Sequence, residues 1–396
     1  MSTLAWLAAL PWVAPFFGIP RLARSKPNLN DVPPVTGVPL TVIIPARNES
    51  AQIETVLASV LASSYTPLEV LVVDDRSTDD TARRVATMAA TDSRLRLVPG
   101  RALPRGWYGK PWACQQGADA ASGEILLFTD ADTKHHPELL ARAVSMLQQS
   151  KADLLTVAPR QLVVTFWERV IMPQVWVMLG IRYHPSSVNK ATRPWGVVAN
   201  GQFMMFGRAN YEAIGGHTAV RGEVVEDLAI AQRVVTLGKK LYFAFAYDLM
   251  ETRMYQTLGQ VVEGWSKNVF IGSRNSLGEN PVLRFLAPLL MGLNALFWLA
   301  PPLVLIWSLL GHTPALMAPA AAAIVLSMLF WALISFGMQV PMWYGLLYPL
   351  GAAMFLWIMA RSAWRGTRRV EWRGRVYDEA TGIATEPAPP SAPVKG

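Results

Sequence analysis

Short apolar runs separated by amphipathic stretches dominate residues 40–132. Four of these runs are rich in β-branched residues and predict strands buried on both faces, at 40–45, 68–75, 95–99 and 124–132. The spacing of apolar positions predicts helices at 53–63 and 111–122. Strands that alternate with helices are typical of parallel βαβ units, whose functional residues lie beyond the carboxyl ends of the strands. We therefore expect an α/β domain with a site at this edge of its sheet.

Three later segments carry no charged residue, and each is long enough to cross a hydrocarbon core of roughly 30 Å. They cover 285–310, 315–336 and 340–360. Residues 4–19 are also apolar but slightly short, which predicts either a thin or tilted span or an anchor in the membrane interface. Arg21 and Arg24 follow this segment, and the positive-inside rule then places the next residues in the cytosol.

These patterns divide the chain into five predicted parts. They are an N-terminal membrane anchor (1–25), a proline-rich linker (26–39), the α/β domain (40–280), transmembrane helices (281–361) and a tail that is basic and then disordered (362–396). This organisation indicates a multi-pass protein of the plasma membrane with a cytoplasmic α/β domain. Pro288, Pro301 and Pro302 interrupt the helical hydrogen-bond ladder, so we expect the segment 285–310 to bend back or to lie in the membrane interface. We then expect two complete later crossings and a cytosolic basic tail.

Composition narrows the classes of partner. Charged residues make up 16% of the chain, against about 25% in an average soluble domain, which fits a membrane protein. The net charge is +8, yet residues 40–280 contain no dense basic run interleaved with aromatics, so we expect no nucleic-acid partner. The single cysteine, Cys114, excludes an internal disulfide and a cysteine zinc cluster.

Acidic pairs follow two of the predicted strands. They are Asp74 with Asp75 and Asp130 with Asp132. A carboxylate at the end of a buried strand is costly unless a partner neutralises it. Hard oxygen ligands favour Mg²⁺ or Mn²⁺, although an aspartate after a strand can equally cap a helix. After the first pair, Ser77 or Thr78 is expected to cap the next helix.

Five ordered blocks between about residues 40 and 275 resemble the inverting glycosyltransferases of family 2. They are PARNE (45–49), VVDDRSTDD (72–80), GKPWACQQGADAASGEILLFTDAD (109–132), GQFMMFGRANYEAIGGH (201–217) and VEDLAIAQRVVTLGKKL (225–241). The resemblance implies the GT-A fold of nucleotide-diphospho-sugar transferases, with a Rossmann-like mixed sheet. It also implies a UDP-sugar donor and a divalent metal, Mg²⁺ or Mn²⁺.

The same resemblance implies which residues bind the nucleotide. Asp75 matches the residue that accepts a hydrogen bond from the uracil ring. Ala46, Arg47 and Glu49 match the first block of the site, with the backbone around Ala46 and Arg47 lining the base.

The resemblance further implies the metal ligand and the catalytic base. Asp132 matches the metal-binding aspartate, and Asp130 its partner near the ribose or the sugar. Asp227, in the pair Glu226-Asp227, matches the general base that deprotonates an acceptor hydroxyl during attack on the anomeric carbon. Without the resemblance, both acids equally suit the first turn of the helix predicted by LAIAQRVV.

Lys110 lies within GWYGKPWA (106–113). A lysine flanked by glycine and aromatics can meet phosphate oxygens as a point charge, and a solvated surface lysine is the alternative. This block resembles a narrower group of family 2 enzymes, those associated with hopanoid genes and those that glycosylate carotenoid acids. It therefore implies a lipid acceptor, terpenoid in those relatives.

The chain departs from the processive members of the family. Their QxxRW signature is absent, because the stretch from Gln260 to Trp265 contains no arginine. We therefore expect transfer of a single sugar rather than synthesis of a polymer. Alternatives within the fold are a polyprenyl-phosphate or glycolipid glycosyltransferase. A nucleotidyltransferase fits less well, because it would want a glycine-rich loop after the first strand and PARNESAQ contains no glycine.

Overall fold

The structure is a computed structural model, and it describes residues 3–24, 27–275, 280–365, 369–372, 375–378 and 383–385. The chain forms two compact units. The apolar unit contains Met1–Pro27, Gln161–Lys190 and Arg253–Trp364. The sheet unit contains Asn28–Arg160, Ala191–Thr252 and Arg365–Gly396. These units divide the chain differently from the five predicted parts, whose boundaries stay a prediction.

A mixed sheet of eight strands forms the centre of the sheet unit. The strands are β1 (Leu40–Ala46), β2 (Leu68–Asp74), β3 (Leu95–Pro99), β4 (Ile125–Thr129), β5 (Thr133–His135), β6 (Leu154–Gln161), β7 (Phe203–Gly207) and β8 (Leu241–Thr252). Their order is β3-β2-β1-β4-β7-β6-β8-β5. The first four strands of this order pair in parallel, whereas β7 is antiparallel to both β4 and β6. The predicted α/β class with a mixed sheet is confirmed.

Helices connect these strands and form most of the apolar unit. They are α1 (Ala14–Arg24), α2 (Ile53–Leu61), α3 (Thr81–Ala89), α4 (Gly109–Ala120), α5 (Leu139–Ser150), α6 (Phe166–Arg182), α7 (Pro185–Val188), α8 (Arg208–Ala213), α9 (Glu226–Thr236), α10 (Leu258–Asn275), α11 (Pro281–Leu309), α12 (Met317–Gly337) and α13 (Tyr348–Arg365). The predicted helices at 53–63 and 111–122 correspond to α2 and α4.

Apolar residues on both faces hold the parallel half of the sheet in place. Every residue of β1 and of β4 is buried, as the continuous apolar runs predict for a sheet covered on both faces. The fourth predicted strand is too long, because β4 ends at Thr129 and the chain turns through Asp130–Asp132 before β5. The carboxyl ends of β1, β2 and β4 therefore lie side by side at one edge.

Three segments of the apolar unit are long and apolar enough to cross a membrane. They are Gly292–Leu309, Pro314–Gly337 and Met342–Trp364. The first segment does not bend back at its prolines, because α11 runs without interruption from Pro281 to Leu309. Its location in the membrane interface, the alternative, stays a prediction. A proline removes only the bond to the carbonyl four residues earlier, and the rest of the ladder can hold the helix. The number of complete crossings stays a prediction.

The N-terminal apolar segment packs within its own unit. It forms a 3₁₀ helix (Thr3–Trp12) followed by α1. The ring of Trp12 stacks on Phe297 with centroids 4.8 Å apart, and Phe16 meets Phe330 edge-on at 5.9 Å. These contacts give the segment a packing role, and its role as a membrane anchor stays a prediction.

Two further parts of the chain complete the described structure. In α6, the buried residues Val170, Ile171 and Val175 pack in the core of the apolar unit. The tail, predicted to be basic and then disordered, contains a small antiparallel sheet of β9 (Arg369–Trp372), β10 (Arg375–Asp378) and β11 (Ile383–Thr385). Residues 386–396 lie outside the described part of the chain.

Candidate functional site

The loops that follow β1 and β2 are bonded to each other. The amide of Asn48 donates to Oγ of Ser77 at 3.0 Å, and Oδ1 of Asn48 accepts from the amide of Thr78 at 2.8 Å. The prediction that Ser77 or Thr78 caps the next helix is therefore wrong. Instead, Oδ1 of Asp79 accepts from the amide of Thr81 at the start of α3. Ser77 and Thr78 thus connect the loops after β1 and β2 and do not cap α3.

Arg47 holds the backbone beside Asp75. Its guanidinium is buried and donates to the carbonyl oxygens of Asp75 and Arg76 at 2.7 and 3.1 Å. The amide of Asp75 donates to the carbonyl of Ala46 at 2.8 Å. Arg76 and Asn48 both have positive φ, 57° and 54°. Left-handed residues other than glycine cluster at binding sites, where the surrounding structure can enforce them.

The predicted nucleotide residues are therefore brought together at one sheet edge. Ala46, Arg47 and Asp75 lie in or between the two bonded loops, and the amide of Glu49 donates to Oγ1 of Thr81 at 2.8 Å. Asp75 is fully buried. Their binding of a base stays a prediction.

Hydroxyl groups fix the turn that carries Asp130 and Asp132. Oγ1 of Thr133 donates to the carbonyl of Asp130 at 2.8 Å. Oγ1 of Thr252, at the end of β8, donates to the carbonyl of Asp132 at 3.2 Å. The backbone of the turn is thus held at both aspartates.

Lys110 joins two of the acidic elements. Its Nζ lies 2.8 Å from Oδ1 of Asp130 and 2.9 Å from Oε1 of Glu226. Lys110 lies in the first turn of α4, where the helix dipole disfavours a positive charge, so these carboxylates must supply the compensation. Burial opposes the charged form, but Asp130 and Glu226 raise the pKa of Lys110 well above its usual value. The alternative of a solvated surface lysine is wrong, whereas phosphate binding stays a prediction.

Asp227 lies in the first turn of α9, beside this ion-pair cluster. Its Oδ2 accepts from the amide of Gly201 at 2.9 Å and its Oδ1 from the amide of Leu228 at 2.7 Å. Burial, followed by the neighbouring Glu226 carboxylate, raises the pKa of Asp227 to about 6. Each carboxylate oxygen has a second lone pair, so Asp227 can still accept a proton. Its geometry is compatible with the predicted role of a general base.

Gly201 lies against the ion-pair cluster, where a side chain would be tightly packed. A Cβ there would be 3.1 Å from both Oδ2 of Asp227 and Nζ of Lys110. No local pattern in the sequence distinguishes Gly201, because its crowding arises from residues far along the chain. The Glu226 ion pair was missed for the same reason. Trp265, which ends the stretch that lacks the QxxRW arginine, is buried and donates to Sδ of Met172.

The charges around Lys110 bear on the predicted metal. One ammonium faces three carboxylates, those of Asp130, Glu226 and Asp227. Among the described residues, no group of three or more His, Cys, Asp or Glu side chains is placed to hold a metal ion by itself. Mg²⁺ commonly takes one or two carboxylates and completes its shell with water and substrate phosphates. The excess negative charge and the two aspartates of the turn fit an ion held in that way.

Comparison with known proteins agrees with this geometry. Residues 41–214 match the model of glycosyl transferase family 2. The predicted resemblance of the ordered blocks to family 2 glycosyltransferases is confirmed.

Two relatives extend the comparison. The chain is 28% identical over 239 residues to the 4,4'-diaponeurosporenoate glycosyltransferase of Staphylococcus aureus (strain USA300), covering 59% of this chain and 61% of that protein's length. The fold of this chain is similar to that of the mannosyltransferase PcManGT from Pyrobaculum calidifontis, solved in complex with GDP-Man and Mn²⁺. That similarity covers 91% of this chain and 98% of the other, with 21% identity and a TM-score of 0.52. The predicted GT-A fold is confirmed.

Proposed function

We propose that this protein is a membrane-bound inverting glycosyltransferase that moves a single sugar from a UDP-sugar to a lipid acceptor. The observation that carries the proposal is the ion-pair cluster of Lys110, Asp130 and Glu226, with Asp227 beside it. This cluster joins the acidic turn after β4 to the first turn of α9. A donor diphosphate and an attacking acceptor would have to meet at such a junction.

Asp227 acts as the base in this proposal. It takes the proton of an acceptor hydroxyl while the acceptor oxygen attacks the anomeric carbon from the side opposite the diphosphate. One displacement breaks the bond between sugar and phosphate and forms the new glycosidic bond, so the anomeric configuration inverts. A pKa near 6 leaves most of Asp227 ionised at neutral pH and still gives it useful basicity.

The donor is held by the loops after β1, β2 and β4. Asp75 accepts a hydrogen bond from the base, with the backbone at Ala46 and Arg47 alongside. Lys110 exchanges part of its contact with Asp130 for phosphate oxygens. Asp132, with Asp130 near the sugar, would hold Mg²⁺ or Mn²⁺, which neutralises charge on the diphosphate leaving group when bound.

The acceptor in this proposal is a terpenoid lipid of low polarity. Two observations support this part: the curated relative is named for a carotenoid acid, and the apolar unit contains three segments able to cross a membrane. The same segments support a location in the plasma membrane, with the sheet unit in the cytoplasm, where nucleotide sugars are made available.

A GDP-sugar is the second candidate donor. The similar mannosyltransferase was solved with GDP-Man, and guanine also presents N–H donors to a buried carboxylate such as Asp75. A panel of UDP- and GDP-sugars, incubated with the full chain and bacterial lipid extract, separates the two candidates. We expect UDP release that depends on added lipid, and a product of inverted anomeric configuration by NMR. Release of GDP without release of UDP would show that the donor is a GDP-sugar. A retained anomeric configuration would overturn the proposed mechanism.

A further inference from the structure

A network of buried polar side chains lies directly beneath the acidic turn. Its members are all 4% exposed or less: Thr129, Thr133, His135, Gln202 and Thr252. They come from β4, β5, β8 and the residue before β7. Buried polar groups are costly unless they are bonded, so such a network needs a reason to be retained.

Two threonine hydroxyls in the network each donate a hydrogen bond to a backbone carbonyl. Thr129 Oγ1 lies 2.8 Å from the carbonyl oxygen of Gln202, and Thr133 Oγ1 lies 2.8 Å from that of Asp130. A carbonyl oxygen can only accept, and each hydroxyl has a single proton. Both protons are therefore used on the backbone.

This assignment fixes the tautomer of His135. Its Nε2 lies 3.1 Å from Oγ1 of Thr133 and 3.3 Å from Oγ1 of Thr129. Since neither hydroxyl has a proton left to give, Nε2 must carry the hydrogen and donate it. Nδ1 has no hydrogen-bond partner in the described part of the chain, and burial lowers the pKa of His135 to about 3. His135 is thus a neutral donor that orients both threonines.

The other half of the network leads to Asp132. Nε2 of Gln202 donates to Oγ1 of Thr252 at 2.8 Å, and this hydroxyl donates in turn to the carbonyl of Asp132. Gln202 also follows Gly201, whose amide binds Oδ2 of Asp227. One short segment before β7 is therefore bonded to the acidic turn on one side and to the proposed base on the other.

We propose that His135, Thr133, Gln202 and Thr252 are positioning residues that fix the two carbonyls of the acidic turn and so aim the carboxylates of Asp130 and Asp132 at the donor diphosphate. The role in donor binding rests on the proposed function. The chain of bonds through Gln202 further keeps the acidic turn and Asp227 in register, because a shift of Gln202 would move both.

The matched variants are Thr252→Val, Thr252→Ser and Thr41→Val, each in the full chain. Valine keeps the shape of threonine and removes the hydroxyl, whereas serine keeps the hydroxyl. Thr41 is an equally buried threonine in β1, and its hydroxyl binds Glu69 and the amide of Gly123. It controls for general loss of stability.

Two measurements test the proposal. Hydrogen exchange by mass spectrometry reports the mobility of residues 130–133 without any ligand. Calorimetric titration with UDP and MnCl₂ reports binding without turnover. Thr252→Val should speed exchange at 130–133 about fivefold or more and weaken UDP–Mn²⁺ binding roughly 10- to 100-fold. Thr252→Ser should show the exchange rate at 130–133 and the UDP–Mn²⁺ affinity of the wild-type chain, and so should Thr41→Val.

Unchanged exchange and binding in Thr252→Val would overturn the positioning role, as would an equal loss in Thr41→Val. Faster exchange with unchanged binding would overturn the link to the donor. A wild-type chain that bound neither nucleotide nor metal would overturn the proposed function and, with it, this donor role, whereas wild-type binding that survives in Thr252→Val overturns this inference alone.

Discussion

Nζ of Lys110 lies 2.8 Å from Oδ1 of Asp130, and this ion pair connects the first turn of α4 to the turn after β4. Through Glu226, at 2.9 Å, the same ammonium reaches the first turn of α9. Three elements far apart in the sequence thus share one positive charge. Disturbing that charge should change both donor binding and the basicity of Asp227.

Lys110→Met should weaken UDP binding about 10- to 100-fold, the usual cost of losing a hydrogen bond to a charged group. Lys110 lowers the pKa of Asp227, so its loss should also move the acid limb of the pH–rate profile to higher pH. Titration with UDP and a kcat profile from pH 5 to 9 check both effects. Lys134→Met, at an exposed lysine of β5, is the control. An acid limb at unchanged pH in Lys110→Met would show that Lys110 does not influence the pKa of Asp227.

Asp227→Asn should leave donor binding nearly unchanged and lower kcat by about 10²–10⁴ when the acceptor is a hydroxyl, because the base is lost. A carboxylic acid acceptor is already ionised at neutral pH, so its transfer should suffer far less. Paired acceptors, a terpenoid alcohol and the corresponding acid, reveal the difference. If binding and turnover fell in parallel for both, Asp227 would belong to the donor site instead.

The wild-type chain should lose stability as the pH falls below about 6.5. His135 and His217 are buried, and burial lowers the pKa of each to about 3. The unfolded chain takes up these protons near pH 6.5 and the folded chain does not, so the free energy of unfolding falls by about 1.4 kcal/mol per histidine between pH 7.5 and 5.5. Asp227 offsets part of this loss, because its raised pKa lets the folded state gain a proton in the same range.

Urea unfolding of the full chain in detergent at the two pH values measures this dependence. His217→Gln removes one titrating group and should reduce the pH dependence by about 1.4 kcal/mol, whatever its effect on stability itself. An unaltered pH dependence in this variant would show that His217 is not held neutral.

The tail after α13 should lie on the cytosolic side, because several arginines follow residue 360. Trp364 is 92% exposed, whereas Ser362 is buried and donates to the carbonyl of Ser266, so Trp364→Cys is the better labelling site. Cys114 is buried and gives little background. In sealed inside-out vesicles, an impermeant maleimide should label Trp364→Cys and Lys134→Cys alike. Labelling of the second variant alone would place the tail outside.

The sequence was most informative where a single short segment decides the outcome. The β-branched runs predicted β1 and β2 correctly, and the acids at the strand ends predicted the sheet edge at which the candidate site residues meet. Local patterns could not show that Lys110 pairs with Glu226 or that Gly201 lies against Lys110 and Asp227, because both depend on packing between distant segments. The prolines of α11 led to the wrong expectation that this segment bends back. Whether a proline interrupts a helix depends on the hydrogen bonds of the surrounding turns.

Transfer of one sugar to a membrane lipid is tested most directly by mass spectrometry of lipid extracts from cells that express either the wild-type chain or Asp132→Ala. Asp132 is partly exposed and its carbonyl, not its carboxylate, binds Thr252, so the variant should fold normally and lose transfer. We expect a lipid heavier by a single sugar residue with the wild-type chain and its absence with a folded Asp132→Ala chain. The same glycolipid at equal abundance in both extracts would contradict the proposed function.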